Sequence, residues 1–186
     1  MGHPELEKLL KQWGAPPRAA RIALDGATET AAIGHVRSFL NDYSLGTSNI
    51  MVLAGGVGVG KTVAATWAMV HLPMNTHSSY GTRRFRHISQ LCEIGLYGGD
   101  EAKRERDILK GGRMLVLDDV GTEHMTETFQ TMFDGLINAR YEDDGATIIT
   151  TNLSSETFRE RYGVRIYDRL RGRGAWFEIS HESLRG

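Results

Sequence analysis

Cysteine is nearly missing from this chain. Cys92 stands alone among 186 residues, so no disulfide can close within it, and a reducing, cytoplasmic setting is expected. An excess of either charge is missing too: 22 Lys and Arg face 23 Asp and Glu, for a formal net charge of -1. That balance speaks neither for nor against nucleic acid, since a local basic patch can hold phosphates on a neutral protein. No apolar run is long enough to cross a bilayer, so no membrane partner is expected. The opening MGHPELEKLLKQWG is charged and lacks the apolar centre of a secretory signal. One cysteine and scattered histidines exclude a zinc cluster. There is no internal repeat and no low-complexity tract. What is present, 40% hydrophobic and 24% charged residues, suits one globular domain with a core of ordinary size.

The first part of the chain reads as helical. Leu6, Leu9, Leu10 and Trp13 fall on one side of a helix over Pro4–Trp13, which Gly14 and the pair Pro16-Pro17 are expected to end. Ile33, Val36 and Leu40 give a face to a second helix over Glu29–Leu40. From Asn49 the pattern changes to short apolar runs alternating with helical stretches. The runs are Ile50–Ala54, Phe85–Ile88, Met114–Leu117, Thr147–Thr151 and Trp176–Ile179. Between them Lys61–Leu72, Ile88–Tyr97 and Glu127–Tyr141 carry helical periodicity. Such alternation predicts an α/β fold with five parallel strands and helices on both faces, and runs such as MLVL and TIIT fit strands buried on both sides. Residues 1–48 are expected as a short helical lead-in and 49–186 as the core.

The chemistry concentrates where strands end. Ile50 to Thr62 reads strand, glycine loop, helix, and satisfies G-x-x-x-x-G-K-[ST] with Gly55, Gly60, Lys61 and Thr62. Glycines let the backbone curl until successive N–H groups face phosphate oxygens, and the next helix adds its positive end. The cradle is therefore Gly55, Gly56, Val57, Gly58, Val59, Gly60, Lys61, Thr62 and Val63, holding ATP or GTP. Lys61 is expected on the β- and γ-phosphates and the Thr62 hydroxyl on magnesium. The strand Met114–Leu117 runs into Asp118 and Asp119. Asp118 is assigned to the magnesium shell and Asp119 to orienting or deprotonating the attacking water, a task that a relaying water or Glu123 could share because aspartate is short. Two neighbouring carboxylates repel unless a cation lies between them, which supports the metal. Asn152 closes the strand TIITT, where it can meet both the γ-phosphate and the water.

Arg165 to Arg173 holds four arginines in nine residues. Arg169 is chosen as a finger offered to a neighbouring subunit, and Arg140 as a weaker candidate or a structural ion pair. Arg83, Arg84 and Arg86, with Lys103, Arg104, Arg106 and Lys110 beyond, form a basic belt that could follow single-stranded DNA, with His87 and Tyr80 nearby. Glu101, Glu105 and Asp107 interleave the second group, which also reads as a solvated helical face.

Taken in order, these motifs resemble the DnaC/IstB family, a branch of the AAA+ ATPases near the initiator DnaA. The resemblance runs from about Pro16 to Arg185. Pro16-Pro17-Arg18 resembles its lead-in, Gly55–Thr62 its Walker A, and Leu115-Val-Leu-Asp-Asp-Val-Gly-Thr-Glu123 its aspartate-rich Walker B. Asn138-Ala-Arg-Tyr-Glu142 with Thr147–Asn152 resembles its helix and sensor strand, Asp168-Arg-Leu170 its arginine-finger box, and Ser183-Leu-Arg185 its closing segment. The resemblance implies strand order 5-1-4-3-2, no large helical lid, and ATP-dependent assembly on DNA. Helicase loaders of the family place the replicative helicase on single strands; IstB-type members act beside a transposase on duplex DNA. A loader-like ATPase is the leading expectation, working as a homo-oligomer with ATP between subunits. The alternatives are a transposition helper, a small-molecule kinase and a non-hydrolysing ATP switch. Loaders usually carry a dedicated amino-terminal domain, whereas roughly 48 residues precede the first strand here; Pro4–Trp13 is either a reduced partner-binding element or packing.

Overall fold

The computed structural model describes residues 2–26, 29–72, 82–96, 99–143 and 145–179. The order of elements is α1 (His3–Trp13), α2 (Pro17–Leu24), α3 (Ala31–Ser44), β1 (Ile50–Gly55), α4 (Lys61–His71), β2 (Arg83–His87), α5 (Ile88–Leu96), α6 (Asp100–Gly111), β3 (Met114–Val120), α7 (Glu127–Glu142), β4 (Ala146–Thr151), α8 (Ser155–Tyr162), α9 (Val164–Gly172) and β5 (Gly174–Ile179). The strands form one parallel sheet in the order β2-β3-β4-β1-β5, which is the expected 5-1-4-3-2 read from the other edge.

Side-chain alternation along the strands divides the core in two. Met51 and Leu53 of β1, Met114 and Val116 of β3, and Ala146 and Ile148 of β4 face one side, where Leu10, Trp13, Ile33, Val36, Phe39 and Met69 cover them. Ile50, Val52, Leu115, Leu117 and Ile149 face the other, beneath Phe129, Phe133, Leu136, Phe158 and Leu170. Both faces of the central strands are dry, which is why they read as unbroken apolar runs. The helices of the first 48 residues share the first of these cores with α4.

Two local expectations change. Gly14 does end α1, in the left-handed conformation at φ 93°, but Pro17 starts a helix rather than stopping one. As the first residue of α2 its missing N–H removes nothing, since that position has no intrahelical acceptor, and its fixed φ already suits a helix. The segment after β4 also folds into two helices that were not among the expected elements. Ser154 caps α8 by accepting from the Thr157 N–H at 3.2 Å, and Gly163, at φ 88°, separates it from α9.

The arginines of β2 are structural. Arg83 is buried against the Trp13 ring, 5.0 Å from its centroid, and donates to the Met69 carbonyl, joining α1, α4 and the sheet edge. Arg84 and Arg86 both pair with Glu105 of α6, Arg84 at 3.4 Å. The expectation of a DNA-tracking belt therefore fails for these three arginines: one guanidinium is inside and two share a carboxylate. Tyr80 and the closing segment Ser183-Leu-Arg185 lie outside the described residues. No described helix is long and apolar enough to cross a membrane.

Candidate functional site: a glycine cradle facing an acidic bulge

Strands β1 and β4 lie side by side, yet the helices that follow them leave in opposite directions. α4 packs on the first core and α8 on the second. At such a switch point the two connections part and open a crevice at the carboxyl ends of the strands. The glycine loop fills one wall. Gly60 precedes α4 at φ 92°, a conformation that L side chains adopt at a cost, and a Cβ on Gly55 would stand 2.6 Å from the Ile179 carbonyl oxygen of β5. Val59 is buried and anchors the loop, while Gly56 and Val57 form its exposed crest. The first intrahelical bond of α4 runs from the Ala64 N–H to the Gly60 carbonyl at 2.9 Å. The N–H groups of Lys61, Thr62 and Val63 precede it and are the donors that a helix start offers to an anion.

The loop meets the strand ends through two side chains. Lys61, 6% exposed, donates from Nζ to the Gly55 and Gly56 carbonyls, each at 2.7 Å, and to Asn152 Oδ1 at 2.9 Å. Thr62 Oγ1 lies 3.1 and 3.2 Å from the two carboxylate oxygens of Asp118. Lys61, Thr62, Asp118 and Asn152, drawn from three parts of the sequence, thus converge.

The acidic pair sits on a distortion of the sheet. The β3–β4 register shifts between Leu117 and Val120, and Asp119 takes φ 57°, a left-handed value on a residue with a side chain. Thr150 holds the bulge: its hydroxyl donates to Asp118 Oδ1 at 2.7 Å and accepts from the Asp119 N–H at 3.0 Å. Thr151 repeats the device one residue on, donating to the Val120 carbonyl at 2.6 Å and accepting from the Leu153 N–H at 3.1 Å. The bulge turns the two carboxylates apart. Asp118 is buried, while Asp119 is half-exposed with an oxygen 3.6 Å from His87 Nε2.

Burial pushes the Asp118 carboxyl above its usual range, helped by the charge of Asp119 and opposed by the hydrogen bonds from Thr150 and Thr62. A cation beside Asp118 would reverse that balance. Among the described residues, no group of three or more His, Cys, Asp and Glu gathers to hold a metal. A metal here would take one carboxylate and a hydroxyl from the protein and the rest of its shell from phosphate and water. That is the habit of magnesium, which dehydrates reluctantly. The donor set fits the ion.

Glu123 does not fit the water-activating task expected of it. Its side chain is fully buried. One oxygen accepts from Tyr162 at 2.5 Å and from Arg161 at 3.1 and 3.2 Å, and the other from the Gly121 N–H at 2.9 Å. Burial raises its pKa, but the bonds from Tyr162, the backbone and Arg161 outweigh burial and hold the carboxyl below its ordinary value.

Arg140 is likewise structural. Fully buried, it donates to Thr147 Oγ1 at 2.8 Å and to the carbonyls of Lys110, Gly112 and Ala146, and burial lowers its pKa to about 10. Of the late arginines, Arg169 bonds Asp134 of α7 at 2.9 Å, and the more exposed Arg165 approaches the same carboxylate at 3.7 Å. Sequence reasoning did not single out Thr150, Thr151, Arg161 or Tyr162. Threonine is ordinary in a strand, and only the TT pair facing a DD pair across the sheet hinted at this partnership.

The family model for IstB-like ATP binding proteins matches residues 36–186. An IS21 putative ATP-binding protein of Pseudomonas aeruginosa is 28% identical over 145 residues, 74% of this chain and 53% of its own length. The uncharacterized protein YdaV of Escherichia coli K12 is 23% identical over 163 residues, 87% of this chain and 57% of its own. The chain thus spans little more than half of these curated relatives. Among solved structures, DnaI superposes with a TM-score of 0.68 at 19% identity, covering 84% of this chain and 89% of that one. The DnaC helicase loader gives 0.65 at 21% identity, covering 92% and 96%. A replication initiator DnaA bound to AMPPCP and single-stranded DNA gives 0.63 at 20%, covering 93% and 50%. With a family model matched over residues 36–186, this chain belongs to the IstB-like ATP-binding proteins, and its fold is shared with DnaI and DnaC.

Proposed function

We propose that this chain is a magnesium-dependent ATPase that acts on DNA, most nearly in the manner of a helicase loader, through homo-oligomers with ATP bound between subunits. The observation that carries the reading is the convergence of Lys61 with Asn152 and of Thr62 with Asp118 at the strand ends. Lys61 would exchange its loop carbonyls for β- and γ-phosphate oxygens, and the N–H groups of Lys61, Thr62 and Val63 would add theirs. Thr62 and Asp118 would hold magnesium, which when bound neutralises charge on the phosphate oxygens. Asp119 would accept a proton from the attacking water while Asn152 holds that water against the γ-phosphate. The water oxygen bonds to the γ-phosphorus as the bond to the bridging oxygen breaks, ADP and phosphate leave, and Asp119 returns its proton to solvent.

Arg169 is proposed as the finger for a neighbour's site, which requires its guanidinium to exchange Asp134 for phosphate. Single-stranded DNA is the favoured partner, in keeping with the DnaC-like fold and with the DNA carried by the related DnaA structure. The basic surface available for it is Lys103, Arg104 and Lys110 rather than β2. The IS21 relative supports a second reading, a transposition helper beside a transposase on duplex DNA.

One experiment addresses the whole reading: ATP hydrolysis followed against protein concentration, with single-stranded, duplex or no DNA, for wild type and Arg169→Ala. Turnover is expected to rise with concentration and with single strands, and the variant to bind ATP without that rise. A preference for duplex would move the assignment to the transposition helper. Wild-type protein that binds ATP without turnover at any concentration would end the ATPase reading.

A further inference from the structure

The hydrolysis proposed above leaves one buried carboxylate without a task. Glu123 sits in the loop between β3 and α7, four residues after Asp119, with its side chain fully buried and four donated hydrogen bonds on its two oxygens. An apolar side chain could fill the same volume without the cost of removing a charge from water, so the carboxylate specifies geometry that packing alone would leave loose. Its partners show which geometry. On one side, the loop is stitched to the acidic pair: the Thr122 N–H and hydroxyl both donate to the Asp119 carbonyl, at 3.3 and 2.9 Å. On the other, Tyr162 and Arg161 are the last residues of α8, and Arg161 also donates to the Glu123 carbonyl. Tyr162 is itself wedged between Phe133 and Phe158, with ring centroids 5.0 and 4.4 Å away. One residue later Gly163 turns the chain into α9, which carries Arg165 and Arg169.

We propose that Glu123 is a positioning residue, the central pin of a latch that sets the arginine helix α9 against Asp119 so that the state of the nucleotide site is passed to the face offered to a neighbouring subunit. The proposal rests on the ATPase reading. The path is short and polar: Asp119, Thr122, Glu123, then Tyr162 and Arg161, then Gly163 and α9. Two polar points bear on the α8–α9 pair along this path, Glu123 near its hinge and Asp134 at Arg169, while Phe158, Ile166 and Leu170 seat the pair in the core. A change at Asp119 shifts the first point, and α9 pivots about the second.

Amide hydrogen exchange with and without saturating ATP and magnesium tests this on wild type and on Tyr162→Phe, which removes one hydroxyl and keeps the ring. In wild type, nucleotide is expected to slow exchange in the glycine loop, in residues 119–124 and in α9. In Tyr162→Phe the glycine loop should respond as before while α9 no longer does. Turnover at high protein concentration should fall about tenfold, with the KM for ATP changed less than twofold. Arg161→Lys, on a partly exposed side chain, provides the same readout if the phenylalanine variant melts early. An α9 that responds to ATP equally in wild type and both variants would overturn the latch alone. A wild-type glycine loop that ignores ATP would overturn the nucleotide reading and the latch with it.

Discussion

Thr62 Oγ1 lies within 3.1 and 3.2 Å of both carboxylate oxygens of Asp118, although 56 residues separate them in the chain. The hydroxyl belongs to the first turn of α4 and the carboxylate to the end of β3. Between β3 and β1, the strand that leads into α4, runs β4, whose Thr150 bonds the same carboxylate.

Ionising that carboxylate in its buried place costs the fold stability. Its pKa is raised by burial, so the stabilisation linked to Asp118 is full at low pH and is lost as pH rises through the folded value. Asp118→Asn should therefore melt higher than wild type at neutral pH without nucleotide. The same variant should lose the extra stabilisation that wild type gains from magnesium with ATP. Thermal denaturation under the two conditions checks both halves.

Glu123 should act in the opposite sense. Its folded pKa is held below the ordinary carboxylate value, so its contribution is present at neutral pH and lost as acid carries pH down through that folded value. Glu123→Gln is expected to be less stable than wild type at neutral pH, with the gap closing on acidification. Urea unfolding across a pH series reads the gap directly.

Thr150→Val keeps the shape of a fully buried side chain and deletes a hydroxyl that both donates to Asp118 and accepts from the Asp119 N–H. Leaving those two groups without their partner should cost about 1–3 kcal/mol. Because Asp119 would lose its fixed backbone, kcat for ATP should fall more than ATP affinity. Chemical denaturation and a fluorescent-nucleotide titration separate the two effects.

Lys61→Ala removes an ammonium that makes three hydrogen bonds at the heart of the cradle. Charge-assisted bonds to phosphate are worth about 1.5–3 kcal/mol each, so ATP affinity should fall at least about tenfold. Equilibrium binding of ATP with magnesium measures it, and unchanged affinity would contradict the placement of phosphate in this loop.

Arg140→Ala should behave as a core lesion. It strands the Thr147 hydroxyl and the carbonyls of Lys110, Gly112 and Ala146 around a cavity, for about 3–5 kcal/mol. The soluble yield and melting point of the variant, not its turnover when folded, should carry the effect. A well-folded variant with lost turnover would return Arg140 to the list of finger candidates.

The sheet was legible because its signals are local. Ile50–Ala54 and Met114–Leu117 are short apolar runs flanked by polar residues or glycine, and G-x-x-x-x-G-K-[ST] demands a strand before it and a helix after it. α8 and α9 were missed although Phe158, Tyr162, Ile166 and Leu170 recur at four-residue spacing, because charged residues surround them and Gly163 interrupts the run. Pro17 misled because a proline that stops one helix and a proline that opens the next look alike until the preceding turn is known.

From the residues alone came the strand sequence, the cradle and the acidic pair, because each is written within about a dozen consecutive positions and follows from backbone chemistry nearby in the chain. Which charges are working and which are walled in was decided only by the tertiary structure. Arg83, Arg140 and Glu123 carry the same side chains as surface or catalytic groups would. Their roles depend on what long-range packing places around them: an indole ring, a set of carbonyls, a tyrosine hydroxyl. Burial and partner are properties of the folded neighbourhood, and no spacing along one chain encodes them locally.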